Sequence, residues 1–356
     1  MIYKDFYAGK NDDNRRLDKV LRIFIKDIPL SSIYKFIRKG LIKVNDKKTT
    51  QEYRVNEGDK ISVAEFIISS QEEKAENNSD NKKSTDNSET LDTRTYKSTN
   101  TELPPIVFEN EHIIIFNKPV NLSVHGSGNK KTPSLEEIYK NHYFQQTRLN
   151  DSLSFSPGPL HRIDRMTSGL IAFSKSIDGA RWFSQAVKNH LIQKKYLALL
   201  SGRLTEKCEW IDYIDSQTDS EAKDIKTTKG NGFHTVKISS SPDNLDNSNF
   251  KEAVSTVTPV AFGKYKNQDI TLAEIHIKTG RHHQIRSQCA HHSFPLLFDT
   301  AYTKSLPQKE HFFLHAHTLI IPQNNPIGLP EKIEAPLPEE FIQFLSKTCD
   351  IKSFDI

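Results

Sequence analysis

Leu17, Val20, Leu21, Phe24 and Ile25 recur at the spacing of one helical face, which predicts an amphipathic helix near the N-terminus. Ser31 and Ser32 offer N-cap side chains to a second short helix carrying Ile33, Phe36 and Ile37, and Gly40 stands where that helix should stop. "LIKVN" and "DKISV" follow, alternating apolar and polar positions between turn-forming residues, the pattern of two short strands. Then the periodicity vanishes. From Ser69 to Glu102 the chain reads "SSQEEKAENNSDNKKSTDNSETLDTRTYKSTNTE", with almost no large apolar residue, 8 acidic and 5 basic side chains. Such a stretch cannot bury enough apolar surface to offset the entropy of ordering it, so a flexible polar linker is expected over 67–102. Strand-like runs return in "HIIIFNK", "GLIAFSKS", "KYLALLSG", "TLAEIHIKTG" and "FLHAHTLIIP", with one helix predicted from Asp178 to about His190 and another from near His283. This order predicts an α+β domain over 103–356, built on a mixed, mostly antiparallel sheet, preceded by a small α/β module over 1–66.

Composition fits that division. Only 35% of the 356 residues are apolar, low for one compact globule and consistent with a polar segment outside any core. The net charge of +4 says little by itself, but its distribution does. Between Arg15 and Lys60 there are 13 Lys and Arg against 6 Asp and Glu. Arg16, Lys19, Lys35, Arg38, Lys39 and Lys43 gather on the two helices and the strand after them, a basic face suited to phosphates. An ordinary solvated surface has the same charges, and charge alone does not separate the two. The three cysteines are far apart with no CxxC pair, which speaks for a reducing compartment rather than a disulfide framework. With neither a signal-like apolar stretch nor a run long enough to span a bilayer, the expectation is a cytoplasmic protein that does not enter membranes; the sequence is silent on oligomeric state, and a monomer is the working expectation.

The chemistry concentrates in two stretches. In "PLHRIDRMTSGL" the carboxylate of Asp164 lies between Arg162 and Arg165, and a carboxylate flanked by guanidiniums is favoured in its ionised form, which suits a nucleophile. A surface ion-pair cluster looks the same at this level. The run "KTGRHHQIRSQCAHH" follows a predicted strand and invites a metal reading through His283, Cys289 and His291. Its spacing matches no standard zinc pattern, it lacks acidic ligands and arginines interrupt it, so no metal is expected and Cys289 reads as a small buried hydrophobe.

The larger pattern separates these alternatives. "RRLDKVL", "SSIYKFIRKGLIKVNDKK" and "VNEGDKISV" together resemble an S4 domain, a module that grips structured RNA. The ordered series "FENEHIIIFNKPVNLSVHGSG", "PGPLHRIDRMTSGLIAFSKS", "KKYLALLSG", "IKTGRHHQIRSQCAHHSFPLLFDTAY" and "FLHAHTLIIP" resembles the RluA family of pseudouridine synthases over 103–356. With an S4-like module in front, it is similar to the ribosomal large-subunit members, and "PLLFDTAY" to their C-type branch. The resemblance implies isomerisation of uridine to pseudouridine in RNA, most naturally 23S ribosomal RNA, without cofactor or metal. It implies Asp164 as nucleophile, Arg162 as the residue that enters the RNA stack, Tyr196 as the ring against uracil and late proton acceptor, and Arg281 as the basic partner of the aspartate. Arg165 falls to RNA phosphates. Ile163 stands for a usual Leu, His282 for a common Thr, Thr303 for a frequent Gly and Asn121 for a common Gly. The same chemistry on transfer RNA is one rival reading. A non-catalytic RNA-binding or ribosome-assembly factor is another, against which Asp164, Tyr196 and Arg281 stand together.

Overall fold

The computed structural model describes residues 1–25, 28–69, 102–126, 132–146, 152–215, 235–241, 249–303 and 311–349. The predicted linker lies almost wholly outside them. The chain divides into two compact units, one of 1–102 with 137–158 and 175–177, the other of 103–136, 159–174 and 178–356.

In the first unit, strands β1 (Tyr3–Tyr7), β2 (Ile42–Val44) and β3 (Lys60–Ala64) form an antiparallel sheet in the order β1-β3-β2. Helices α1 (Leu17–Phe24) and α2 (Leu30–Arg38) carry the apolar face expected of them: Leu17, Val20, Leu21, Ile33 and Ile37 are buried with Ile42, Ile61 and Val63. Two features went beyond the expectation. Ile67 and Ile68 are buried in the same core, so the folded part runs past Phe66, and Leu153 joins it from a distant stretch of chain. That stretch is tied down by Asp12, whose fully buried carboxylate accepts the backbone N–H groups of Gly9, Leu153 and Ser154 at 3.0, 2.7 and 3.1 Å and the Ser152 and Ser154 hydroxyls. A buried carboxylate is tolerated only when its lone pairs are filled in this way.

The second unit is built on a ten-stranded sheet. Its strands are β4 (Ile106–Glu109), β5 (Ile113–Lys118), β6 (Ser168–Ser174), β7 (Gln193–Ser201), β8 (Cys208–Asp215), β9 (Ile238–Ser239), β10 (Phe250–Tyr265), β11 (Gln268–Ile277), β12 (Leu314–Ile320) and β13 (Lys332–Glu334). The order is β4-β5-β6-β12-β7-β11-β10-β8-β9, with β13 on β12. All pairings are antiparallel except β6 with β12, which gives the mixed, mostly antiparallel α+β architecture. Helix α3 (Leu135–Gln146) belongs for most of its length to the first unit, and helices α4 (Ile177–Lys188), α5 (Gln284–His291) and α6 (Glu339–Thr348) accompany the strands of the second. One core cluster gathers β5, β6 and α4 around Ile113, Leu170 and Phe183; another gathers β7, β11 and α6 around Leu199, Leu272 and Leu345. The middle of the sheet is thus buried on both faces.

At the parallel pair, Gly169 lies opposite Ala316 with φ +105°, and a Cβ there would meet the Ala316 carbonyl oxygen at 2.2 Å. Only glycine permits both the conformation and the approach. Beside it the Ser168 hydroxyl lies 2.9 Å from His315 Nδ1, while His315 Nε2 lies 3.2 Å from the Ala335 carbonyl. Burial lowers the His315 pKa to about 4, so the ring is neutral: Nε2–H donates and Nδ1 accepts. Among the described residues no helix is long and apolar enough to cross a membrane.

Candidate active site

The loop before β6 is pinned at both ends. Leu160 N–H donates to the Ala172 carbonyl at 2.8 Å, and Thr167 N–H closes a turn onto the Asp164 carbonyl at 3.1 Å. Between them Ile163 is buried, and its successor Asp164 turns its carboxylate into a cavity of about 250 Å³. Tyr196 reaches that cavity from β7, whose neighbours are β11 and β12: it pairs with Ile275 on one side and Ala316 on the other. The turn from β11 into α5 supplies Arg281, His283 and Arg286. Arg162, Asp164, Tyr196 and Arg281 therefore line one cavity, whereas Arg165 does not.

The ion pair expected between Asp164 and Arg281 is made instead by Arg286, whose Nη1 lies 3.6 Å from Asp164 Oδ2. Arg281 donates through Nε to the Glu252 carbonyl at 2.8 Å, and its backbone N–H to Gln284 Oε1 at 3.0 Å. The reason is geometric. Arg281 lies in the turn before α5 and is held toward β10. Arg286 sits in the first turn of the helix, where it is buried and clamped by Asp299 through two bonds, Nε to Oδ2 at 2.7 Å and Nη2 to Oδ1 at 2.8 Å. Its guanidinium also lies over the rings of Phe312 and Tyr302, at 4.6 and 5.3 Å. Asp299 fixes the fork and leaves Nη1 for the cavity.

His283 completes the constellation. At φ +52° it occupies the N-cap of α5 in the left-handed region, a conformation His tolerates at a cost. Its Nε2 accepts from Arg286 Nη1 at 2.9 Å and stands 3.8 Å from Asp164 Oδ2, and its Nδ1 lies 3.3 Å from the Tyr302 hydroxyl. Asp164, His282 and His283 each present a ligand atom within 4.8 Å of the others. The guanidinium of Arg286 stands 2.9 Å from His283 Nε2 and 3.6 Å from Asp164 Oδ2, so two of these three ligand atoms already face a cation of the protein itself.

Tyr196 is buried, and burial, reinforced by the Asp164 charge, raises its pKa well above the ordinary phenol. Its hydroxyl is thus protonated while Asp164 is charged. Lys118, at the end of β5, is fully buried and spends its three donors on the carbonyls of Pro119, Leu122 and Arg165 at 2.8, 2.9 and 3.1 Å. It thereby ties the loop after β5 to the loop that carries Asp164. Burial lowers its pKa to about 7, against the opposing pull of the Asp164 charge. Asn121, in the position where a Gly was the norm, has φ +64° and accepts from Arg165 Nη2, so Arg165 is held on that loop.

Residue reading overlooked Lys118, Arg286, Asp299 and Tyr302, and weighed His283 only as a metal ligand. One signal was present. Lys118 ends the apolar run "HIIIF", where a solvated lysine has no evident place. Arg286, too, lies among residues that a helix buries, between Ile285 and Cys289.

In the first unit, Lys19, Lys35, Arg38 and Lys39 are exposed. Lys43 is partly buried, its ammonium 4.5 Å from the centre of the Tyr3 ring. Arg16 differs from them. Its guanidinium is engaged with Asp18 through two bonds of 3.1 and 2.9 Å and lies 3.9 Å from Glu52, so much of its charge is answered within the unit.

Comparison with known proteins agrees with this geometry. Residues 112–291 match the family model described as RNA pseudouridylate synthase, and residues 15–61 match the S4 domain. The ribosomal large subunit pseudouridine synthase C of Buchnera aphidicola (subsp. Schizaphis graminum) is 30% identical over 301 residues, 84% of this chain and 80% of that protein. The protein of the same name from Escherichia coli K12 is 26% identical over 350 residues, 95% of this chain and 94% of that one. Among solved structures, human RNA pseudouridylate synthase domain containing 1 has a TM-score of 0.51 at 21% identity, covering 71% of this chain and 92% of its own, and so shares the fold. An Asp-bearing loop against a sheet tyrosine, matched over half the chain and by a relative across most of its length, carries one conclusion: the chain belongs to the RNA pseudouridylate synthase family, behind an S4 domain.

Proposed function

We propose that this enzyme isomerises uridines of large-subunit (23S) ribosomal RNA to pseudouridine, acting in the cytoplasm as a monomer with Asp164 as nucleophile. The observation that carries the reading is the Asp164 carboxylate in a cavity opposite Tyr196, with Arg286 held at 3.6 Å by its own clamp on Asp299. The names of its curated relatives and the S4 domain in front support ribosomal RNA as the substrate.

The reaction breaks the bond from uracil N1 to ribose C1′, turns the base, and forms a bond from C5 to C1′. The C5 hydrogen leaves as a proton and N1 gains one, so no oxidant or metal is needed. Asp164 captures the reacting sugar or base, and Arg286 offers charge to the carboxylate without consuming its fixed bonds to Asp299. Tyr196 packs against the detached uracil. Because the Asp164 charge, after burial, is the second cause raising the phenol's pKa, spending that charge in a covalent bond lowers the pKa and makes the phenol readier to give up its proton. Arg162, exposed at the cavity edge, enters the RNA stack as the target nucleotide is extruded. Arg281 and Arg165 contact the RNA around it, and Lys19, Lys35, Arg38, Lys39 and Lys43, with a lesser share for Arg16, bind phosphates from the S4 domain.

The test is tritium release from large-subunit ribosomal RNA labelled at uracil C5, with wild type and Asp164→Ala. Release by the wild type alone supports the reading. No release by either, with RNA binding intact, removes it in favour of transfer RNA or a binding factor.

A further inference from the structure

β7 carries two adjacent lysines in opposite surroundings. Alternation along the strand sends Lys195 to one face, and Lys194 with Tyr196 to the other. Lys195 is answered: its Nζ lies 3.0 Å from Glu274 Oε1 on β11. Lys194 lines the same cavity as Asp164, Tyr196 and Arg281. Gly280 lies across from it, and a Cβ there would stand 3.4 Å from Lys194 Nζ, which places the ammonium beside the turn that carries Arg281. Among the described residues no carboxylate pairs with Lys194 and no acceptor takes a hydrogen bond from its Nζ. Burial lowers its pKa, and the nearby His161, brought down to about 3 by burial and then by the Lys194 charge, is a neutral ring that offers no counter-charge.

A partly desolvated cation without a counter-ion is unfavourable where it stands, and an entering anion relieves it. A uridine in RNA has a neutral base, and its only negative charges are the flanking phosphodiesters. Resting on the reading of this cavity as the pseudouridine-forming site, we propose that Lys194 binds a phosphodiester flanking the target uridine, and reaches it only once the nucleotide has been extruded into the cavity. The contact then belongs to the flipped complex. It acts on the step that commits the nucleotide, whereas the S4 domain lysines act on first capture of the RNA.

The full-length protein with Lys194→Met, Lys194→Gln or Lys194→Arg tests this, using a large-subunit ribosomal RNA transcript labelled with tritium at uracil C5. Single-turnover release at saturating enzyme and filter-binding affinity are measured across a potassium chloride series, on variants whose melting curves show them folded. The expected result for Met and Gln is a release rate down roughly 10- to 100-fold with affinity changed less than about 3-fold. Their plot of log (rate over Kd) against log salt should be shallower by about 0.7 to 0.9, the share of one phosphate contact, and Arg should recover most of both. A rate loss with an unchanged slope, or an Arg variant as poor as Met, assigns Lys194 to packing and overturns the proposal, as does an unaffected rate. Absence of release by the wild type overturns the pseudouridine reading, and the Lys194 contact falls with it.

Discussion

Replacing Arg286 by lysine keeps a positive charge in the cavity wall but removes the fork that joins Asp299 to Asp164. An ammonium cannot satisfy both Asp299 oxygens and still stand 3.6 Å from Asp164, so Arg286→Lys forfeits at least one charge-assisted bond and the pairing with the nucleophile. Losing one preorganised electrostatic donor in an enclosed site costs about 3–4 kcal/mol of transition-state stabilisation, a release rate lower by roughly 10²- to 10³-fold. Arg286→Met is the harsher change. It leaves Asp299, whose side chain is 2% exposed, as an uncompensated buried charge, at about 3–5 kcal/mol of stability. That is a large share of the roughly 5–15 kcal/mol that holds a domain together, which makes lysine the informative substitution. Arg281→Met loses a single side-chain bond, to the Glu252 carbonyl, and should cost about 1 kcal/mol or less in stability and act mainly on RNA affinity. Single-turnover tritium release at saturating enzyme, read beside urea midpoints, separates these cases. The reasoning is refuted if Arg281→Met abolishes release with normal RNA affinity while Arg286→Lys keeps more than half the wild-type rate.

Three further outcomes follow from the packing. Gly169→Ala combines a φ of +105° with a 2.2 Å approach to the Ala316 carbonyl, so it should lose about 2–5 kcal/mol in urea unfolding and lower activity through the loop just before it; an unchanged midpoint would show that β12 yields freely. Lys118 has its folded pKa lowered from 10.5 to about 7, so between these values the unfolded chain binds the extra proton and wild-type stability gains about 1.4 kcal/mol per pH unit from this group as pH rises. Relative to Lys118→Met, the wild type should therefore gain about 2–3 kcal/mol between pH 7 and 9 by urea midpoints, and a constant difference refutes the lowered pKa of the buried lysine. Asp12→Ala strands three backbone N–H groups and two hydroxyls inside the first unit, so about 3–5 kcal/mol should be lost, checked by chemical unfolding of the full chain. A loss under about 1 kcal/mol would mean that water replaces the carboxylate.

Where a single periodicity governs a segment, the sequence was legible. The helices around Leu21 and Ile37 and the strands β5, β6, β7, β11 and β12 lie within a few residues of their expected places, because burial on one or both faces writes itself into the apolar pattern. β10 went unread: "FKEAVSTVTPVAFGKY" is largely half-exposed, breaks register at a bulge between Pro259 and Ala261, and holds a Pro that argues against a strand. β1 was missed because its five residues are mostly exposed and its partner β3 lies more than fifty residues away. In the site, the motif residues Asp164 and Tyr196 were legible as a pair, but the partner of the carboxylate was not. Arg281 and Arg286 lie in one short stretch of charge, and only the left-handed turn at His283 and the distant Asp299 decide which of them faces the cavity. Likewise Asp164 meets His283 and Arg286, which come from a distant stretch of the sequence; contact with a charged group in a loop is not decided by adjacency along the chain.

Arg286 stands between two carboxylates that meet different fates. Asp299 keeps its charge through every turnover, whereas Asp164 gives its charge up whenever it forms a covalent bond and recovers it on release. Before the bond forms, one guanidinium faces two anions and the trio carries a net negative charge; afterwards Arg286 and Asp299 remain as a balanced pair. The trio is therefore closer to electrical neutrality with the substrate attached than without it. A guanidinium devoted to Asp164 alone would do the reverse, quieting the nucleophile and leaving an unanswered cation behind each time it reacted. Sharing the arginine keeps the aspartate reactive.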